Sequence, residues 1–240
     1  MAAVLAAASL AAAPASATFP GRNGDIALSQ YGDLYLLTPG SARRQLTSGP
    51  DSDRFPTFSA NGKRIVFVRD PADGPQRLYT IRADGTGAKP LPGTRAADFA
   101  PALAPGGARV VFQSNRVIGP DEIWTIRSDG TRAHALTHLG GWNGRPSYSP
   151  DGKTVVFTRG DDGVWAMDAD GGHLRRLAGA DTDGAPSFSP DGRRIAFEKN
   201  HSVYTMRADG SDKRRLTPGR YFDEQPTYSP NGKRIVFFRF

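Results

Sequence analysis

No cysteine occurs among the 240 residues, so neither a disulfide framework nor a thiolate metal site is open to this chain. Histidine is scarce: His134, His138, His173 and His201 are the only four, and no cluster of them repeats with metal-ligand spacing. The Gly-x-Ser-x-Gly elbow that presents a hydrolase nucleophile is missing. A complete calcium loop is missing too, since Asp168-Ala169-Asp170-Gly171 reads as an Asp-Gly hairpin turn. Outside the first 17 residues there is no long apolar run and no helical periodicity beyond a turn or two. These absences argue against a cofactor site, a catalytic constellation and stable membrane insertion.

What the chain has instead is glycine (28 residues), proline (19 residues) and a repeat. Pro146-Ser147-Tyr148-Ser149-Pro150-Asp151-Gly152-Lys153-Thr154-Val155-Val156-Phe157 returns, varied, from Pro56, Pro101, Pro186 and Pro226. The leading prolines are spaced by 45, 45, 40 and 40 residues, a period that belongs to solenoids, arrays and propellers. Within each copy, Ser-Pro-Asp-Gly or a close variant reverses the chain, because proline presets one φ and glycine supplies a positive one. The run after that turn is apolar at three consecutive positions, as in Ile65-Val66-Phe67 and Val155-Val156-Phe157. A continuous β-branched run predicts a strand buried on both faces rather than on one.

A second hairpin follows in each copy. Its first arm is Leu78-Tyr79-Thr80-Ile81, Ile123-Trp124-Thr125-Ile126, Val164-Trp165-Ala166-Met167 or Val203-Tyr204-Thr205-Met206, and an Asp-Gly turn closes it. The last arm is short and charged, as in Lys213 to Thr217. Four strands per repeat, apolar early and polar last, predict an all-β fold: a β-propeller of four-stranded antiparallel blades running from hub to rim.

The pattern Pro-x-aromatic-Ser-Pro-Asp-Gly-x-x-Ile/Val-x-Phe, followed by Ile/Val-Tyr/Trp-x-Met/Ile-x-x-Asp-Gly and then Leu-Thr, resembles the WD40-like (PD40) repeat of the TolB-like β-propeller family. The resemblance runs from about Asn23 to Phe240 and implies six blades. Counting arms gives five first strands, six second, five third and five fourth, 21 in all. A six-bladed ring would need 24 strands, so the expectation is a chain truncated by about one repeat at its C-terminus, with a closed five-bladed ring as the alternative. The same blade serves periplasmic TolB, the propellers of prolyl oligopeptidase-like enzymes and polysaccharide lyases, so it does not specify function. No separate amino-terminal domain of the TolB kind lies between Ala17 and the first blade, which argues against membership of the Tol system itself.

Residues 1–17 are alanine-rich and end in Ala15-Ser16-Ala17, the small-x-small form of a signal-peptidase site, although no basic segment precedes them. The reading is a signal peptide over 1–17 and a propeller domain over 18–240, exported to the periplasm, cell envelope or exterior. A disordered alanine-rich tail is the other reading of the same residues.

The net charge of +7, from 31 Lys and Arg against 24 Asp and Glu, raises the question of nucleic acid. The basic residues recur once per blade, beside the first turn and on the outermost strand. They therefore make no continuous stripe along a phosphate backbone, and on rim strands they discourage edge pairing.

Three residues before each leading proline stands Asp53, Asp98, Asn143, Asp183 or Asp223. These positions are expected in the connections between blades, around one mouth of the central channel, where they either receive a cationic or basic partner or satisfy their own loops. In the same connections the non-repeating Arg54, Phe55, Phe99, Trp142, Arg145, Tyr221, Phe222 and Glu224 have hot-spot chemistry. The expected function is a monomeric, non-catalytic scaffold that binds a protein or peptide partner of the cell envelope at that mouth. The alternative is the propeller part of a larger peptidase or lyase.

Overall fold

In a computed structural model, residues 25–38, 41–116, 119–179 and 184–240 are described. Residues 1–17, read as a signal peptide, lie outside them. The described residues form 21 strands and one short 3-10 turn, Gly160–Asp162. In the four complete sheets the second strand is the deepest. In β5 (Arg64–Asp70), β9 (Arg109–Ser114), β13 (Thr154–Arg159) and β17 (Arg194–Lys199), the apolar triplet is wholly buried, with Phe67, Phe112, Phe157 and Phe197 at 0% exposure. Burial on both faces is what the unbroken apolar run predicts.

Each second strand pairs antiparallel with a first strand: β4 (Ser52–Phe58), β8 (Asp98–Leu103), β12 (Asn143–Tyr148) and β16 (Gly184–Phe188). On its other side lies a third strand: β6 (Arg77–Arg82), β10 (Glu122–Arg127), β14 (Gly163–Asp168) or β18 (Ser202–Arg207). The fourth strands are β7 (Lys89–Pro90), β11 (His134–Ala135), β15 (Arg175–Ala178) and β19 (Arg214–Arg215). These make four complete four-stranded sheets. The chain opens with a three-stranded sheet of β1 (Ile26–Gln30), β2 (Asp33–Leu37) and β3 (Arg44–Gln45), and closes with a two-stranded one of β20 (Asp223–Tyr228) and β21 (Ile235–Arg239). The strand count equals the one read from sequence, but 21 strands suffice for five blades rather than the expected six.

The core lies between sheets. Phe188 of one blade packs with Val156 and Val164 of the blade before it, and Tyr148 packs with Ala102 and Ile123 in the same way. Each sheet buries its face on the next, so the blades stack side by side with their first strands innermost.

Every first strand carries a bulge that the sequence reading did not anticipate. The register slips just before the leading proline, and the residue ahead of it adopts a left-handed φ: Phe55 at 55°, Ala100 at 42°, Arg145 at 52°, Ala185 at 44° and Gln225 at 52°. Proline lacks the N–H that a ladder requires and is tolerated where the ladder is already interrupted. The first strands therefore begin about three residues earlier than their prolines suggest.

The two signature motifs have local explanations. In Ser-Pro-Asp-Gly, the Ser149 hydroxyl donates to Asp151 Oδ1 at 2.6 Å and accepts from the Thr154 N–H at 2.9 Å, while the Lys153 N–H donates to Asp151 Oδ1 at 3.0 Å. Ser189 and Asp191 repeat the arrangement. In Leu-Thr, the threonine hydroxyl lies beyond the short fourth strand and accepts a third-strand N–H. Thr47, Thr137 and Thr217 take those of Leu34, Ile123 and Val203, each at 2.9 Å. Where Ala178 replaces threonine, β15 runs to four residues and pairs Ala178 with Val164 through the backbone instead.

Candidate functional site

Antiparallel order places the first-to-second and third-to-fourth turns of all blades at one end, the turn end. The second-to-third connections and the links between blades lie at the other, the loop end. The predicted site residues gather at the loop end.

The described members of the acidic ring expected there are buried. Asp53 is 1% exposed, and Asp98, Asn143 and Asp223 are 0% exposed, because they sit in first strands rather than in open connections. Asp183 lies outside the described residues. Asp53 accepts two hydrogen bonds from Arg69, from Nε and Nη2, both at 2.7 Å. Asp223 accepts the same pair from Arg239 at 2.6 and 2.9 Å. Asp98 binds Arg116 and accepts from the Ser114 hydroxyl at 2.6 Å. Each arginine also covers the aromatic pair of its blade: Arg69 lies 5.5 Å from the Phe67 ring and 5.1 Å from Tyr79, and Arg116 lies 5.0 Å from Phe112 and 4.9 Å from Trp124. A bidentate ion pair on an aromatic face closes the inner strand onto the second and third strands. The carboxylate holds the Arg69 guanidinium more strongly basic than usual, by hydrogen bonding first and charge second.

Sequence reasoning weighed a local role for these acids but missed their partners. The signal was present: a basic residue recurs two positions after the repeat phenylalanine, as Arg69, Arg159, Lys199 and Arg239. The one blade with an amide departs from the pattern. Asn143 donates to the carbonyls of Asp121 at 3.1 Å and Gly141 at 3.2 Å and to Glu122 at 3.2 Å, while Arg159 pairs with Asp162 at 3.3 Å and covers Trp165 at 5.0 Å.

Four of the eight non-repeating residues, Arg54, Trp142, Tyr221 and Phe222, are exposed. Trp142 is 37% exposed, and Tyr221 and Phe222 are each 50% exposed. Arg54 is exposed and pairs with Asp70 at 3.2 Å, whereas Phe55, Phe99 and Glu224 are half-buried. Arg145, raised on its bulge, donates to Glu198 Oε1 at 2.9 Å, and the other oxygen of Glu198 accepts the Gln225 N–H at 2.9 Å. Glu198, absent from the sequence reading, thus ties first-strand bulges of two blades at the mouth. A Cβ on Gly144 would come within 2.2 Å of Gln113 Oε1, so a side chain beside Arg145 would first have to displace the Gln113 amide.

The four histidines divide between the ends. His134 and His173 are on the turn side, where His173 pairs with Asp168 at 2.6 Å, and that contact raises its basicity. His138 and His201 are on the loop side, with His201 stacked 4.1 Å from Phe222. Among the described residues no group of three or more His, Cys, Asp and Glu is placed to hold a metal ion. No described helix is long and apolar enough to cross a membrane.

The family of the TolB beta propeller domain (PD40) matches residues 28–202, more than half of the chain. The chain belongs to that family. Among solved structures it is similar to a putative TolB from Agrobacterium tumefaciens, at 20% identity over 95% of this chain and 89% of that one, with a TM-score of 0.80. It is similar to TolB from Acinetobacter baumannii at 23% identity and a TM-score of 0.73, covering 89% of this chain and 56% of the longer TolB. A gluconolactonase from Xanthomonas campestris shares the fold at 15% identity, covering 94% of this chain and 82% of that one, with a TM-score of 0.72. No curated protein matches. Proteins titled TolB and a gluconolactonase share this fold, so the fold itself does not decide function.

Proposed function

We propose that this PD40 propeller is an exported, monomeric, non-catalytic scaffold that binds a protein or peptide partner of the cell envelope at the loop-end mouth of its channel. One observation carries the reading. The repeating acids of the loop end are buried in ion pairs of their own, while the residues that break the repeat there, Trp142, Arg145, Tyr221 and Phe222, stay accessible. A symmetric structural element satisfies itself; an accessible, asymmetric set of aromatics and arginine has the composition of a binding hot spot. In this reading Asp53, Asp98, Asn143 and Asp223 set the shape of the mouth, and Arg54, Trp142, Arg145 and Tyr221 make contact, with Asp183 in the same connection series. Similarity to TolB proteins and the Ala15-Ser16-Ala17 site support export.

The test is a photo-crosslinking residue placed at Tyr221 in cells, with Leu174 at the turn end as control. A discrete adduct is expected from Tyr221 and none from Leu174. The partner so identified should bind the purified protein, and Trp142→Ala should weaken that binding at least about tenfold. Equal labelling at both positions, or an unaffected Trp142→Ala, refutes the reading.

A further inference from the structure

The excess of positive charge is not spread evenly over the molecule. The turn end holds eighteen lysines and arginines against nine aspartates, and the loop end holds twelve against thirteen carboxylates among the described residues. The turn end therefore carries an excess of nine positive charges, and the loop end is close to balanced.

The acids of the turn end are also held down locally. Asp84, Asp129 and Asp209 each accept from the hydroxyl and N–H of a Thr or Ser two residues on, at 2.6–2.9 Å. Asp151 and Asp191 are bound by their serines and turn N–H groups, and Asp212 lies between Arg194 and Arg214. By contrast Lys63, Lys153, Arg193 and Lys233 stand exposed on the first turns, and among the described residues none of them forms an ion pair within 4 Å. These turns join the two innermost strands of their sheets, so the four cations lie by the inner strands at the end opposite the proposed partner mouth, while the turn of β8 and β9, Gly106-Gly107-Ala108, holds none. Apolar exposure follows the reverse pattern: Leu174, at 37%, is the one large apolar side chain exposed at the turn end among the described residues.

We propose that the turn end is a docking surface for an anionic lipid bilayer. A linear polyanion meets cations in a row, whereas these lie on the separate first turns of four sheets; a plane of headgroups meets them all at once. With so little exposed apolar surface, attachment is electrostatic and reversible, not inserted. It orients the loop end away from the membrane, with Trp142 and Tyr221 facing outward. The surface is separate from the mouth proposed above and does not depend on it.

The test is co-sedimentation of the full chain with vesicles of about one-third phosphatidylglycerol in phosphatidylcholine, against phosphatidylcholine alone. At low salt, affinity for the anionic vesicles is expected to be at least about tenfold higher, and to be lost near 0.5 M salt, where screening leaves about 4 Å of reach. Lys63→Glu, Lys153→Glu, Arg193→Glu and Lys233→Glu together should abolish binding, and the corresponding glutamine set should weaken it with less risk to folding. A control reversal at the loop end, Arg77→Glu, Arg95→Glu and Arg220→Glu, should leave it intact. Vesicle binding indifferent to lipid charge, equal loss in both reversals, or stronger retention by single-stranded DNA than by vesicles of matched charge would overturn the proposal.

Discussion

In the blade of β4–β7, Asp53 takes both oxygens to Arg69 and fastens the inner strand to the two strands outside it. In the blade of β12–β15 the same place holds Asn143, which donates to backbone carbonyls and to Glu122 and leaves Arg159 to Asp162. The strand order, bulge and register are alike in the two blades. One blade is closed by charge, the other by neutral donors plus a carboxylate from its neighbour. The difference shows that the repeat demands a satisfied polar group at this buried position, not a negative one. It also explains why the ring of acids, regular in sequence, makes no ring of exposed charge in space.

The largest effect should come from breaking the charged version. Asp53→Ala leaves the Arg69 guanidinium, 16% exposed, with only Asp51 at 3.3 Å and two aromatic faces. Removing one partner of a buried pair costs about 3 kcal/mol, measured as a loss in urea-unfolding free energy. An unchanged midpoint would mean that Asp51 takes over the pairing and that the bidentate bond adds nothing.

The neutral version yields a sharper test, because the substitution toward the repeat consensus should be harmful. Asn143→Asp replaces an amide that donates to Glu122 at 3.2 Å with a second carboxylate, and strips donors from the Asp121 and Gly141 carbonyls. A loss of about 2 kcal/mol is expected, with much of it recovered by adding Glu122→Gln. If Asn143→Asp is stabilising, Arg159 has swung back to form the consensus latch, and the two blades differ only in sequence.

A smaller effect separates the blades at the rim. Thr217→Val should cost about 1 kcal/mol, because the Val203 N–H loses its acceptor. Ala178→Thr should change thermal stability little, since β15 already satisfies that position through Val164 and Ala178 pairing. Equal costs at the two sites would sever the link between the motif and the short strand.

The architecture was readable because it rests on local rules repeated many times: a proline–glycine turn, an apolar triplet, an Asp-Gly hairpin. Each needs only a few neighbouring residues. The state of Asp53 was not readable with the same ease, since Arg69 is 16 residues away and reaches it only once strands β4 and β5 pair. The bulge at Phe55 and Arg145 was hidden because an X–Pro step favours extended backbone, and here the inner-strand geometry overrides that preference. Glu198 breaks the repeat and contacts residues of two other blades, so no period could point to it. The blade number fell short of six because the implied count came from the family pattern rather than from strands present in the chain.

The smallest effect is a matter of pH and concerns the turn end, where acids are satisfied in full view of solvent. Asp212 is hydrogen-bonded by Arg194 at 2.9 Å and Arg214 at 2.8 Å, and these bonds hold its pKa down to about 2 from the usual 3.8. A carboxylate whose folded pKa is depressed contributes stability that is fully present above its unfolded value, and that contribution is lost as the pH falls through the folded value. For Asp212 the window therefore lies between about pH 4 and pH 2. Asp151 and Asp191 are lowered in the same direction, first by their serine hydroxyls, so their contributions have the same sign. Asp212, half-buried between its arginines, should matter above this window and cease to matter once acid has titrated it. Asp212→Asn should accordingly lower stability modestly at pH 7 and flatten the fall in melting temperature between pH 4 and pH 2, so that the variant and the parent converge near pH 2. A large loss at pH 7 would show that Arg194, Arg214 and Arg207, which lies 3.9 Å from Asp212, repel one another once the carboxylate is gone, making this half-buried acid as structural as Asp53.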